Sequence, residues 1–273
     1  MPVINTNMSA TLTANALTKN ERAMSQSMER LSTGLRINSA ADDAAGLAIA
    51  SKMTSQINGL NQAVRNSNDA ISMLQTADGA YIEVSNMLQR MRELSVQAAT
   101  GTNTTTDIAN LNLEWNALGS SIDSIVENTE WNGMKILDGS GGSSGSFSFQ
   151  VGANATQLLN VNFGDADDAT NSKIDIATTL NTAVGSIAKV DDALAEVATQ
   201  RATYGAAINS LEHTVDNLTN VSQNSSASRS RIQDADYAAE TTELARTQII
   251  QQAGTAMLSQ ANQQAQSVLA LLK

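Results

Sequence analysis

The side chains able to do chemistry in this 273-residue sequence are few. Cysteine is absent and His213 is the single histidine. Without thiols there is no disulfide scaffold, thiolate nucleophile or Cys-ligated zinc or iron–sulfur site. One imidazole leaves no His-pair metal site, and a Ser-His-Asp hydrolase would depend wholly on it. His213 lies between Leu211 and Val215 but off the main apolar rows, so it reads as solvated helix surface. The acidic run Asp165, Asp167, Asp168 has the look of a calcium loop. Thr170 stands where that loop wants glycine and Ile176 where it wants a closing glutamate, so the EF-hand reading fails. Several Asn-x-Ser/Thr triplets follow from richness in those residues. A net charge of −11 and a pI near 4.5 leave no basic face for nucleic acid. The chemistry points away from an enzyme, with no cofactor and no metal.

The elements that carry these residues are long and thin. Hydrophobic residues make up 41% and aromatic residues only 3%; with so much of the apolar share in alanine, the seams are narrow rather than thick cores. The sole proline is Pro2, so nothing later breaks a helix. No apolar run reaches membrane-spanning length. The first twenty residues lack a basic n-region, an apolar core and a cleavage site, so they do not read as a signal peptide.

Helical spacing begins at Leu17, Met24, Met28, Leu31 and Leu35, with Thr18 and Glu21 placed as a capping box. Gly34 and Arg36–Asn38 read as a break, and Ser39–Asp42 as a second cap with Asp42 and Asp43 in the first turn. A seven-residue repeat follows: Ala50, Ile57, Val64, Ile71 on one row and Met53, Leu60, Leu74, Tyr81, Leu88 on another, with Ser67 as a gap. The stripe shifts to Val84, Met91 and Ala98, which predicts a register slip near Gly79. Residues 44–99 would make a rod roughly 80 Å long. A further helix is expected from Asp107 to Asn128. Asn132-Gly133 signals a tight turn, and alternation at Phe147, Phe149, Val151 and at Leu159, Val161, Phe163 predicts a small β-hairpin region within 131–163. Heptads return at Ile187, Leu194, Ile208, Val215 and Val197, Tyr204, Leu211, Leu218, with Arg201 as a gap. A serine-rich stretch at 222–231 then interrupts them. A last helix carries Leu244, Ile250, Met257, Ala261, Val268, Leu269 and Leu272.

The predicted fold is mainly α: long antiparallel coiled-coil-like helices, a small central β-hairpin region, and helical, paired termini. Residues 1–43 with 235–273 would form a terminal helical domain and 44–234 a rod, with 138–146 and 164–173 as loops. The terminal stripes are too sparse for a stable pair in isolation, which predicts ordering only against further copies of the chain.

The segments NTNMSATLTANALTKN, MERLSTGLRINSAADDAAGLAIA, LQRMRELSVQAATGTN and AMLSQANQQAQSVLALLK closely resemble bacterial flagellin, over about 1–137 and 147–273. The resemblance implies a short form with a reduced central variable domain. It implies a filament subunit for motility, exported unfolded by the flagellar type III apparatus, extracellular despite lacking a cleaved signal peptide, and neither membrane-inserted nor bound to nucleic acid. Implied partners are further copies of itself, an export chaperone on the C-terminal helix, filament cap and hook-junction proteins, and the host innate receptor TLR5. The self-assembly residues are then Leu31, Leu35, Leu244, Ile250, Met257, Leu258, Val268 and Leu272. The receptor patch would be Gln89, Arg90, Leu94, Gln97 and Glu114, with Arg90 and Leu94 protruding side by side. O-glycosylation, which occurs in some flagellins, would fall on Thr104, Thr105, Thr106, Ser143, Ser144 or Ser146. A zinc-protease insert, carried by some members, needs two histidines. The alternatives are a hook–filament junction protein and a non-flagellar coiled-coil scaffold.

Overall fold

A computed structural model describes residues 7–143, 145–163 and 183–270, without the side chains of 183–186 and 264–270. Among the described residues, nine elements follow in chain order: α1 (Met8–Thr33), α2 (Ala44–Ala98), α3 (Thr105–Asn128), β1 (Glu130–Trp131), β2 (Met134–Lys135), β3 (Ser146–Gln150), β4 (Leu158–Asn162), α4 (Ala183–Gln233) and α5 (Tyr237–Ala270). The acidic run at 165–168, Thr170, Ile176, Ser144 and Leu272 lie outside the described residues, as do the side chains of Val268 and Leu269. The fold is mainly helical with small antiparallel strand pairs, as the sequence predicts. Contacts divide the chain into two compact units, Met1–Ser55 with Asn224–Lys273 and Gln56–Gln223.

In the Gln56–Gln223 unit, α2 and α4 run antiparallel, because their polar pairs match rising numbers to falling ones: Asn61 with Ser222, Asp78 with Arg201, Arg92 with Asp191. One buried row of α2 runs from Ala63 through 67, 70, 74, 77, 81, 84, 88, 91, 95 and 98, with Met73 and Leu94 buried beside it. These steps of four and three alternate straight through Gly79, so the expected slip there does not occur. The irregularity lies earlier, at Ile57, Leu60 and Ala63, two successive steps of three. Apolar residues alone hid this, because Ser67 and Ser95 occupy seam positions; each hydroxyl donates back to its own helix, to the carbonyls of Ala63 and Met91. The gap at Arg201 is likewise filled, its guanidinium reaching Asp78 at 2.7 Å. The serine-rich stretch does not interrupt α4, which is continuous to Gln233.

The strands form as the alternation predicts. Asn132 (φ 50°) and Gly133 (φ 75°) make the tight turn between β1 and β2. β3 pairs with β4 in the register Phe147 opposite Val161 and Phe149 opposite Leu159. Phe147, Phe163, Tyr204 and Tyr81 stack edge to face or tilted, with ring centres 5.1–5.7 Å apart. The buried Tyr204 hydroxyl donates to the Phe163 carbonyl at 2.8 Å, and burial raises its pKa. The Gln200 amide donates to the Asn162 carbonyl at 2.7 Å. These two bonds fasten the end of β4 to α4.

In the other unit, the first helix starts at Met8, well before the Thr18 cap that the sequence suggested. Its cap is Asn7, whose side chain accepts from the Ala10 amide; the Thr18 hydroxyl donates within the helix to Ala14. Gly34 ends α1 at φ 71°. Asp43, not Ser39, caps α2, accepting from the amides of Ala45 and Gly46. Asp42 instead closes the preceding turn: the Ser39 amide, the Gln26 side chain and the Asn38 amide donate to its carboxyl and hold its pKa down to about 2.

Candidate assembly and recognition surfaces

The first surface belongs to α1 and α5. They meet through Thr13, Leu17, Asn20, Met24, Ser27 and Leu31 on one helix and Leu244, Thr247, Gln251, Gly254, Leu258 and Ala261 on the other, all buried or half-buried at alternating steps of three and four. The seam is polar at its centre. The Asn20 amide donates to the Thr247 carbonyl at 2.8 Å and to Gln251 at 3.2 Å, Asn7 donates to the Ala261 carbonyl at 3.1 Å, and Arg30 pairs with Glu240 at 3.0 Å. A Cβ built on Gly254 would stand 2.9 Å from Leu17, so the missing side chain admits the leucine. Beside the seam the connectors pair as well: Leu35 bridges to Asp234, and the Tyr237 hydroxyl donates to the Leu31 carbonyl.

Burying this seam leaves apolar side chains outside. Met8, Leu12, Met28, Ile49, Tyr237, Ile249, Ile250 and Met257 are all exposed, Met257 at 63% and Ile249 at 66%. Ile250 and Met257, one heptad apart, share one side of α5, while Ile249, Ala253 and Ala256 continue the apolar surface around its back. Apolar side chains left outside a helix's own seam mark a surface for another molecule to cover. The predicted assembly residues therefore separate. Leu31, Leu35, Leu244 and Leu258 are half-buried in the subunit's own seam or connector, whereas Ile250 and Met257 face outward. Apolar spacing does not reveal Asn20, Ser27, Thr247 and Gly254; polar or small residues at 3–4 spacing carry the signal there.

The second surface lies on α2 and α3. Gln89, Arg90, Gln97 and Glu114 are exposed. The Arg90 guanidinium donates to Glu114 across to α3 at 2.8 Å and to Glu93 at 2.9 Å, and these bonds, Glu114 first, raise its pKa. Arg92 donates to Asp191 of α4 at 2.6 Å, which in turn lowers the Asp191 pKa. Leu94 does not protrude beside Arg90: it is fully buried, in the cluster that also holds Met91, Trp115 and Ile122. α3 adds a second wall on that side of α2, so positions 94 and 95 are both covered. The sequence expected a two-residue exposed anchor; the structure puts Arg90 in an ion-paired surface and Leu94 in the core.

The hydroxyl candidates differ in access. Thr104 caps α3, reciprocally bonded with Asp107, and Ser146 is half-buried in β3 opposite Asn162. Thr105, Thr106 and Ser143 are exposed.

Comparison with known proteins places both ends of the chain. Residues 4–141 match the family described as the bacterial flagellin N-terminal helical region, and residues 187–272 match the bacterial flagellin C-terminal helical region. The chain is 44% identical to the flagellin of Bacillus subtilis, over 99% of each sequence, and 47% identical to that of Halalkalibacterium halodurans over 91% of each. It is similar to the crystal structure of Bacillus cereus flagellin, with a TM-score of 0.50 at 35% identity, over 56% of this chain and 88% of that one. That family is structural rather than enzymatic, and with two terminal regions and full-length relatives in agreement, this chain belongs to it: a bacterial flagellin, the self-polymerising subunit of the flagellar filament.

Proposed function

We propose that the outward apolar faces of α1 and α5 are the surfaces that further copies of the chain cover in the filament, with 1–43 and 235–273 as its core. One observation carries this reading. Among the described residues of the terminal unit, the buried set is Asn20, Ser27, Ile37, Gly46, Ala50 and Thr247, so three of six are polar while eight large apolar side chains stay exposed. Such a unit gains little from burial alone and gains much once copies exclude water from those faces. Leu31, Leu35, Leu244 and Leu258 set the α1–α5 pairing, and Ile250 and Met257 make the contacts between subunits. Val268 and Leu272 extend that role beyond the described side chains.

The same economy fits a chain exported unfolded through the flagellar type III apparatus, met outside the cell by cap and hook-junction proteins. Before export, a chaperone groove would take the apolar side of α5. Deleting residues 240–273 is expected to abolish both filament formation, read by electron microscopy, and chaperone capture. A truncated chain that still polymerised would refute the scheme.

A second reading concerns TLR5. Arg90 and Glu114 form an exposed ion pair flanked by the exposed Gln89 and Gln97, a surface of the kind that anchors an interface, with Leu94 buried in the core. Arg90→Ala in unpolymerised subunits is expected to reduce receptor signalling sharply in a reporter assay. An unchanged response would sink this reading. Glycan on Thr105, Thr106 or Ser143 would add to the mass of native filament protein.

A further inference from the structure

Sulfur is distributed unevenly over the fold. Met73 and Met91 are sealed in the core of the Gln56–Gln223 unit, at 2% and 0% exposure. Met8, Met28 and Met257 are 64%, 55% and 63% exposed, all on α1 and α5. A large flexible thioether suits an adaptable apolar contact, and the same atom is the side-chain group most open to oxygen transfer where no thiol competes. This chain has no thiol.

We infer that Met8, Met28 and Met257 form a peroxide-modification site that gates addition of subunits, an inference that rests on the proposed assembly face. The sulfur lone pair attacks one oxygen of a hydroperoxide. An S–O bond forms as the O–O bond breaks; sulfur loses two electrons, and the peroxide is reduced to water or an alcohol. The product is a sulfoxide, whose strong acceptor oxygen must be stripped of water when the next subunit docks. The terminal unit buries so little apolar surface of its own that each converted side chain removes a large share of what drives docking. The lesion is reversible by a sulfoxide reductase acting on free subunits. Once subunits are assembled, the same thioethers are covered, so a filament resists what its free subunits do not.

The test treats free, full-length subunits with hydrogen peroxide, maps sulfoxides by peptide mass spectrometry, and follows elongation from seeds. Met8, Met28 and Met257 are expected to oxidise ahead of Met73 and Met91, and elongation to slow roughly tenfold or more. The triple variant M8L/M28L/M257L should elongate equally well before and after peroxide. Met134→Leu should give no protection, because Met134 is exposed at 46% but lies in β2 of the Gln56–Gln223 unit. If the triple variant fails to elongate untreated, partly oxidised wild-type subunits supply the answer: sulfoxide at Met257 should be depleted in filaments relative to the free pool. Equal sulfoxide in both, or unchanged elongation with all three sites oxidised, would overturn the inference. Loss of the assembly reading looks different: the three methionines would then oxidise in preformed filaments as fast as in free subunits.

Discussion

Arg90 and Leu94 stand one helical turn apart and act through different physics. Arg90 is about half exposed, with its two carboxylate partners also open to solvent, and screened surface pairs contribute little to stability. Leu94 has no exposed surface. Truncating it loses transfer free energy and leaves a cavity, about 2–5 kcal/mol for a leucine in a packed core. Leu94→Ala is therefore expected to lower the urea midpoint of unpolymerised subunits markedly, while Arg90→Ala leaves it nearly unchanged. If Leu94→Ala unfolds like wild type, the buried placement is wrong. Only the Arg90 variant cleanly reports on recognition. The sequence identified both residues, but could not tell their exposures apart. A one-turn spacing puts two side chains on one side of α2, yet whether that side meets solvent depends on α3, which arrives from twenty residues away.

At the level of elements, what could be read was what apolar periodicity encodes. The period-2 runs at 147–151 and 159–163 became β3 and β4, and Asn132-Gly133 became the turn between β1 and β2. What escaped was periodicity carried by small polar residues: Ser67 and Ser95 in α2, and Asn20, Ser27 and Thr247 between α1 and α5. A hydroxyl that bonds its own helix fills a seam position without an apolar atom to reveal it. Part of the hairpin's attachment was also hidden, since the Tyr204 phenol and the Gln200 and Asn66 amides reach main-chain oxygens of the strands and their ends. Tyr204→Phe keeps the ring stack but leaves the buried Phe163 carbonyl without its donor, a loss of about 1–3 kcal/mol. Faster amide exchange is expected throughout β3 and β4, with α1 and α5 unaffected. Unaltered protection in those strands would show that the phenol does not hold them.

At the level of the whole molecule the two units follow opposite rules of burial. The Gln56–Gln223 unit is built on Leu74, Leu88, Met91, Trp115, Ile122, Phe163, Tyr204 and Leu211, all buried. The terminal unit buries amides and hydroxyls and exposes isoleucine and methionine. Helices with so little apolar burial lack the tertiary support that normally stabilises helical structure in water, and the low end of local stability is where such segments belong. In free subunits, amides of α1 and α5 are expected to exchange with solvent orders of magnitude faster than those at 74–91 of α2 and 204–211 of α4. In filaments, α1 and α5 should become as protected as that core. Ile250→Asp with Met257→Asp places two charges on the outward side while sparing Asn20, Thr247 and Gly254. It should abolish filaments in sedimentation and leave the circular dichroism and urea transition of the Gln56–Gln223 unit intact. Equal protection of both units in the free subunit would mean that the polar seam suffices by itself. The exposed faces would then add to an already stable pair, and polymerisation would no longer be coupled to folding of the chain's ends.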